Sequence, residues 1–128
     1  MTARIVRLGT SRIRDEGLRV GTVRRPPRGV AKEKFASGNW YDVWLPALSP
    51  SEATVKLGQK ATTDREWAGF EKRYTKEMAA AECSRTLDLL AALSHQTDFS
   101  VGCYCEDESR CHRSILRRLL KEHGAKLI

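Results

Sequence analysis

The sequence predicts an α/β domain, and three observations carry that expectation. Short runs of β-formers, Ile5 to Leu8, Leu18 to Val23 and Phe99 to Cys105, show the two-residue alternation of strands. Three apolar stripes recur at helical spacing: Trp67, Phe70, Tyr74 and Met78; then Leu87, Leu90 and Ala91; then Ile115, Leu116, Leu119 and Leu120. At 128 residues the chain is long enough for one domain, residues 1–128, that buries a core without staples, and it contains no repeat and no low-complexity linker. Its composition, 41% hydrophobic and 30% charged, is that of a soluble globular protein. No run approaches the ~18 apolar residues of a membrane span, and the first nine residues hold no apolar leader segment, so no membrane partner and a cytoplasmic location are expected.

In Ile5 to Leu8 the alternation turns Arg4 and Arg7 outward. Asp15-Glu16-Gly17 makes a turn into the second strand, Leu18 to Val23. Arg24-Arg25-Pro26-Pro27-Arg28-Gly29 follows, where two prolines remove backbone donors and stiffen a loop displaying three guanidinium groups. Such forks suit bidentate contact with phosphate or carboxylate. Lys32 to Gly58 reads as loops with one short helix around Tyr41 to Trp44, its aromatics assigned to the core. Thr63 begins a capping box with Glu66, which starts the helix carrying the Trp67 to Met78 stripe. A further helix runs from Cys83 to His95, with Leu93 also inward and His95 as a capping residue. Ala125 to Ile128 is an apolar end suited to a final strand beside Phe99 to Cys105.

The most informative stretch is Phe99 to Gly124, FSVGCYCEDESRCHRSILRRLLKEHG. Asp107 or Ser109 supplies an N-cap, and a helix is expected from about Arg110, with His112, Ile115, Leu116, Leu119, Leu120 and His123 inward and Arg110, Arg113, Arg117 and Lys121 outward. Cys111, His112 and Arg113 then occupy a first turn whose free N–H groups and dipole favour an anion. A cysteine so placed can have its pKa lowered from about 8.5 to roughly 3.5–7.5, which makes Cys111 the candidate nucleophile. His112 is the candidate acid or base, and Glu106, at the strand end, a candidate general base. Arg113, Ser114, Arg25 and Arg28 are candidate anion ligands, sharing one pocket with Cys111 if the strands they follow are parallel neighbours. The plainer alternative is that Cys111 and His112 only pack and cap.

Cys103-x-Cys105-x5-Cys111-His112 is also a donor set that zinc accepts tetrahedrally. The spacing departs from the usual paired C-x2-4-C pattern, and alternate residues of a strand stand about 6 to 7 Å apart. No cofactor is therefore predicted; if a metal binds, Cys103, Cys105, Cys111 and His112 are its ligands. The four cysteines are expected as thiols.

The net charge of +7 is concentrated at the two ends of the chain. Arg4, Arg7, Arg12, Arg14, Arg19, Arg24, Arg25, Arg28, Lys32 and Lys34 crowd the first part, and Arg110, Arg113, Arg117, Arg118, Lys121 and Lys126 the last. Such a surface concentrates polyanions. Three functions follow in order: an enzyme acting on a phosphate-bearing or other anionic substrate, a non-catalytic nucleic-acid-binding module, and a zinc or redox-sensing protein.

The pattern C-x-C-E-x4-C-H-R-x-x-L, from Cys103 to Leu116, resembles a motif of the family called domain of unknown function 488. Asp15, Gly17, Arg19, Val20, Arg25 and Pro27-Arg28-Gly29-Val30 are similar to its N-terminal segment. Trp44 with Leu48-Ser49-Pro50-Ser51, and Trp67, Phe70, Arg73, Tyr74 and Met78, resemble two others. Where many relatives carry D-R-x-W-P-R-G, this chain has Val23-Arg24-Arg25-Pro26-Pro27-Arg28-Gly29, without the Asp and Trp. The resemblance implies a compact α/β domain whose cysteine-rich strand lies in a small, mostly parallel sheet flanked by helices. It implies no particular reaction.

Overall fold

The computed structural model describes residues 1–128. Strands β1 (Ala3–Arg7), β2 (Leu18–Gly21), β3 (Val43–Trp44) and β4 (Phe99–Cys103) form one sheet in the order β1-β4-β2-β3, and every neighbouring pair is parallel. Helices α1 (Glu52–Lys60), α2 (Asp64–Met78), α3 (Ala81–Leu93) and α4 (His112–Glu122) complete the α/β fold. No helix is long and apolar enough to cross a membrane.

β4 lies between β1 and β2, with Phe99 level with both Ala3 and Leu18, and all five of its residues are buried. That burial explains its nearly continuous run of apolar and small side chains. The main core joins Val20 and Val101 of the sheet to Trp67, Phe70, Tyr74 and Met78 of α2, Leu87 and Leu90 of α3, and Leu116 and Leu120 of α4. Tyr74 is fully buried and donates its hydroxyl to the Leu48 carbonyl at 2.6 Å. Leu93, expected inward, is exposed at the end of α3.

Thr63 caps α2 by accepting the Glu66 N–H at 3.1 Å, while Glu66 reaches back to the Thr62 N–H at 3.3 Å. The reciprocal box therefore closes one residue upstream of the cap. Thr63→Ala is expected to cost about 1 kcal/mol, read as a lower denaturant midpoint with an unchanged slope.

Several elements differ from the sequence expectation. β1 begins at Ala3, and β2 ends at Gly21. Tyr41 to Trp44 is not helical: Val43 and Trp44 pair with Val20 and Gly21, Asp42 and Leu45 donate N–H bonds to the carbonyls of Arg19 and Gly21, and the Trp44 indole donates to Val23 at 2.7 Å. These long-range partners outweigh a local aromatic spacing. The chain end bridges β1, with Leu127 opposite Ala3, rather than β4. His95 bonds the Gly124 carbonyl at 2.8 Å, closing the end of α4 instead of its own helix.

Arg19 is the largest correction to the surface-charge reading, because it is fully buried. Its guanidinium donates to both oxygens of buried Glu16, at 2.7 and 2.9 Å, and to the carbonyls of Thr10 and Asn39 at 2.8 Å each. Ser100 of β4 donates to Glu16 at 2.9 Å. The turn before it uses Gly17 at φ 75°, where a Cβ would fall 2.0 Å from the Asp98 carbonyl oxygen.

Candidate functional site

Parallel strands bring their carboxyl ends to one edge of the sheet, and the loops that leave them meet there. Leu8 to Thr10 leaves β1, Val23 to Arg28 follows β2, and Tyr104 and Cys105 leave β4; together with the start of α4 and faces of α1 and α2 they wall an open cleft of about 1460 Å³. The cationic side chains on that wall are Arg7, Arg24, Arg25, Arg28, Lys56 and Arg110. Cys103, Cys105, Cys111 and His112 lie on the same wall.

The arginines differ in freedom. Arg24 is held by the Pro50 carbonyl at 3.0 and 3.1 Å, which pins the loop to the start of α1. Arg25 is exposed and ion-paired with Glu52, itself on the cleft wall. Arg28 makes no hydrogen bond or ion pair. Arg110 reaches Asp64 at 2.6 Å and lies 5.5 Å over the Trp67 ring.

At the floor sits a cluster of thiols. β4 ends at Cys103, so Cys105 is not on a strand face, and its Sγ lies 3.8 Å from that of Cys103. The separation expected for alternating strand residues is thus nearly halved by the turn of the chain. Cys111 Sγ lies 3.8 Å from His112 Nδ1, and the donor atoms of Cys103, Cys111 and His112 all fall within 4.8 Å of one another. Cys103, Cys111 and His112 are buried, and Cys105 is exposed. Leu8, Val23 and Tyr41 pack around the buried sulfurs.

His112 is oriented from behind. Its Nε2 lies 2.8 Å from the Thr22 carbonyl and 3.2 Å from the Thr22 hydroxyl. A carbonyl only accepts, so Nε2 carries the hydrogen, and in the neutral ring Nδ1 offers its lone pair to the sulfurs. The Tyr74 ring meets the imidazole edge-on at 5.5 Å.

The electrostatics single out one sulfur. Hydrogen bonds from Cys103 and Cys105, joined by His112, hold the Cys111 thiol far below its ordinary range despite burial. Cys103, which donates to Cys105 and Cys111, is pushed far above it. Cys105 is raised as well: the bond from Cys103 favours its thiolate, but the bond it gives to Cys111 and its burial outweigh that. Within the cluster, Cys111 is the sulfur whose thiolate the surrounding hydrogen bonds favour.

The expected site residues divide accordingly. Cys111, His112, Arg25 and Arg28 share the cleft. Cys111 is the N-cap of α4, in extended geometry with φ −134° and ψ 152°, and a 3-10 turn at Glu108–Arg110, capped by Asp107, fills the place where the helix was expected to begin. Glu106 does not face the cleft; its side chain is 84% exposed and leans toward Arg7 at 3.9 Å. Arg113, expected outward, is buried and donates to the Cys105 carbonyl at 2.5 Å, because the loop after β4 folds over the start of α4. Ser114 is turned back to the Cys111 carbonyl at 3.0 Å. Thr22, which the sequence reading passed over, carries no local signal, since its contact with His112 spans 90 residues. Arg7 and Lys56 join the cleft in the same long-range way.

These features define a small parallel α/β domain with a thiol and imidazole cluster beneath a basic cleft at the carboxyl edge of its sheet. The chain belongs to the DUF488 family: the model of the DUF488-N3a group, described as the Active DUF488-N3 subclade, matches residues 3–124. No curated protein matches the chain, and no solved structure does.

Proposed function

We propose that this protein is an enzyme that binds a phosphate-bearing or other anionic substrate in the basic cleft and attacks it with the Cys111 sulfur. The observation that carries this reading is that Arg25, Arg28, Cys111 and His112 line one cleft. In the attack, Cys111 Sγ forms a bond to the electrophilic atom while the bond to the leaving group breaks, and the leaving group departs with the electron pair. Water then takes the sulfur's place on the transferred group and gives up a proton to solvent, while Cys111 leaves as the thiolate. Arg28 and Arg25 hold the anion, Arg25 exchanging Glu52 for it. His112, with Nδ1 3.8 Å from the sulfur, supports the Cys111 thiolate that the attack needs. The description of the matched subclade as active supports catalysis over a purely structural role.

Alkylation by iodoacetamide, followed at each cysteine by mass spectrometry on reduced, metal-free protein at neutral pH, tests the reading. Cys111 is expected to react faster than Cys83, whose thiol is raised by burial and by Glu82 and Glu77. Inorganic phosphate should slow Cys111 and leave Cys83 alone. Arg28→Glu should weaken that protection roughly 10- to 100-fold in phosphate concentration, the worth of a charged hydrogen bond. A Cys111 that phosphate does not shield, in protein with Arg28 intact, overturns the proposal.

A further inference from the structure

We propose that Cys103, Cys105, Cys111 and His112 form a zinc site. Three sulfurs and one imidazole nitrogen are a donor set that zinc takes tetrahedrally. With zinc–sulfur bonds of about 2.3 Å, neighbouring sulfurs of a tetrahedral site stand about 3.8 Å apart. Cys103 and Cys105 are separated by 3.8 Å, and so are Cys111 Sγ and His112 Nδ1. The buried trio of Cys103, Cys111 and His112 already keeps its donor atoms within 4.8 Å, and Cys105, outside that trio, reaches it through Cys103.

Two further features fit a metal better than a packed core. The His112 ring is held by the Thr22 carbonyl at 2.8 Å, the kind of outer partner that fixes a ligating histidine with its free nitrogen toward the ion. The buried sulfurs of Cys103 and Cys111 find hydrogen-bond partners only in each other, Cys105 and His112. On binding, the ion replaces the protons of the Cys103 and Cys105 thiols, which pass to solvent, and sulfur keeps its oxidation state. Cys105 is the exposed ligand and faces the cleft, so the ion enters from that side.

The site does not depend on any substrate in the cleft, but one consequence rests on the function proposed above. With zinc in place the Cys111 sulfur is a ligand, so metal occupancy governs whether it is free to attack.

The test adds cobalt(II), and then zinc, to reduced metal-free full-length protein. One equivalent of cobalt should produce a sulfur-to-cobalt charge-transfer band with the visible bands of a tetrahedral ion, and zinc should abolish both. Zinc should also suppress alkylation of Cys103, Cys105 and Cys111 while Cys83 reacts as before, a readout that requires no variant. Cys111→Ser and His112→Ala should lose tight uptake, and Cys83→Ser should retain it. Absence of the cobalt bands, or full uptake by Cys111→Ser, overturns the zinc site. If metal is not bound while phosphate shields Cys111, only the metal inference falls. If metal binds while phosphate leaves Cys111 of the metal-free protein unprotected, only the substrate reading falls.

Discussion

Arg19→Met is expected to destabilise the protein by about 3–5 kcal/mol at neutral pH, the cost of removing one partner from a buried ion pair. That is a large part of the roughly 5–15 kcal/mol that holds a domain of this kind together. The variant leaves Glu16 as an uncompensated buried carboxylate that keeps the Ser100 hydrogen bond, and it removes a donor from the Thr10 and Asn39 carbonyls, the latter keeping the Gly9 N–H at 2.9 Å. In the native protein, burial alone would raise the Glu16 carboxyl, but the Arg19 and Ser100 bonds outweigh it and hold the group below its ordinary value of 4.5. A depressed folded-state pKa contributes stability that is present above the unfolded value and is lost as pH falls through the folded one. Without Arg19 the carboxyl must protonate to stay buried, so the gap between native and variant should be widest at neutral pH and narrow below about pH 4.5. Denaturant unfolding at neutral and acid pH measures it. A variant within about 1 kcal/mol of the native protein at neutral pH would refute the argument.

Gly17→Ala is expected to cost about 2–5 kcal/mol: ~1–2 for an L side chain in left-handed geometry and ~1–3 for overpacking. The overpacking part is unusually certain to be felt, because the added carbon would meet backbone, the Asp98 carbonyl oxygen at 2.0 Å, and not a movable side chain. Gly29 isolates the two contributions. It has the same φ of 75° but nothing within 4 Å of its would-be Cβ. Gly29→Ala should therefore cost only the conformational part, about 1–2 kcal/mol. Thermal or denaturant unfolding of the two variants side by side decides the matter, and equal losses would show that the Asp98 contact is relieved by local movement.

Much of the architecture was legible in the chain because it depends on local chemistry. The Thr63 cap, the Trp67 to Met78 stripe and the inward face of α4 are set by spacing within one helix, and they stand where the periodicity placed them. The second strand and the cysteine-rich strand were equally visible from alternation, apart from their ends. The misread elements answer to distant partners. Val43 and Trp44 become a strand only because the edge of β2 accepts them. Arg19 is a surface residue by composition and an interior one by pairing; the acid three residues before it, Glu16, was the available sign. In the site, Cys111, His112 and the arginine loop could be named from their residue types, whereas the inward turn of Arg113, the outward turn of Glu106 and the close approach of Cys105 to Cys103 follow from how one loop folds over a helix start.

The strand that joins β1 to β2 is made after the other three. β1 and β2 do not pair with each other; each waits for Phe99–Cys103, which emerges from the ribosome more than seventy residues after β2 is complete. Until then the N-terminal part of a nascent chain has α1, α2 and α3 to gather but no partner for β1, and for β2 only the two residues of β3. Parallel pairing across such separations must first overcome loop-closure entropy, so the sheet should close only once β4 has been made, with β4 as the keystone. The same strand ends in Cys103 and leads directly to Cys105. Sheet closure and assembly of the sulfur cluster are therefore coupled, since the strand that joins β1 to β2 also carries Cys103 to its place beside Cys111.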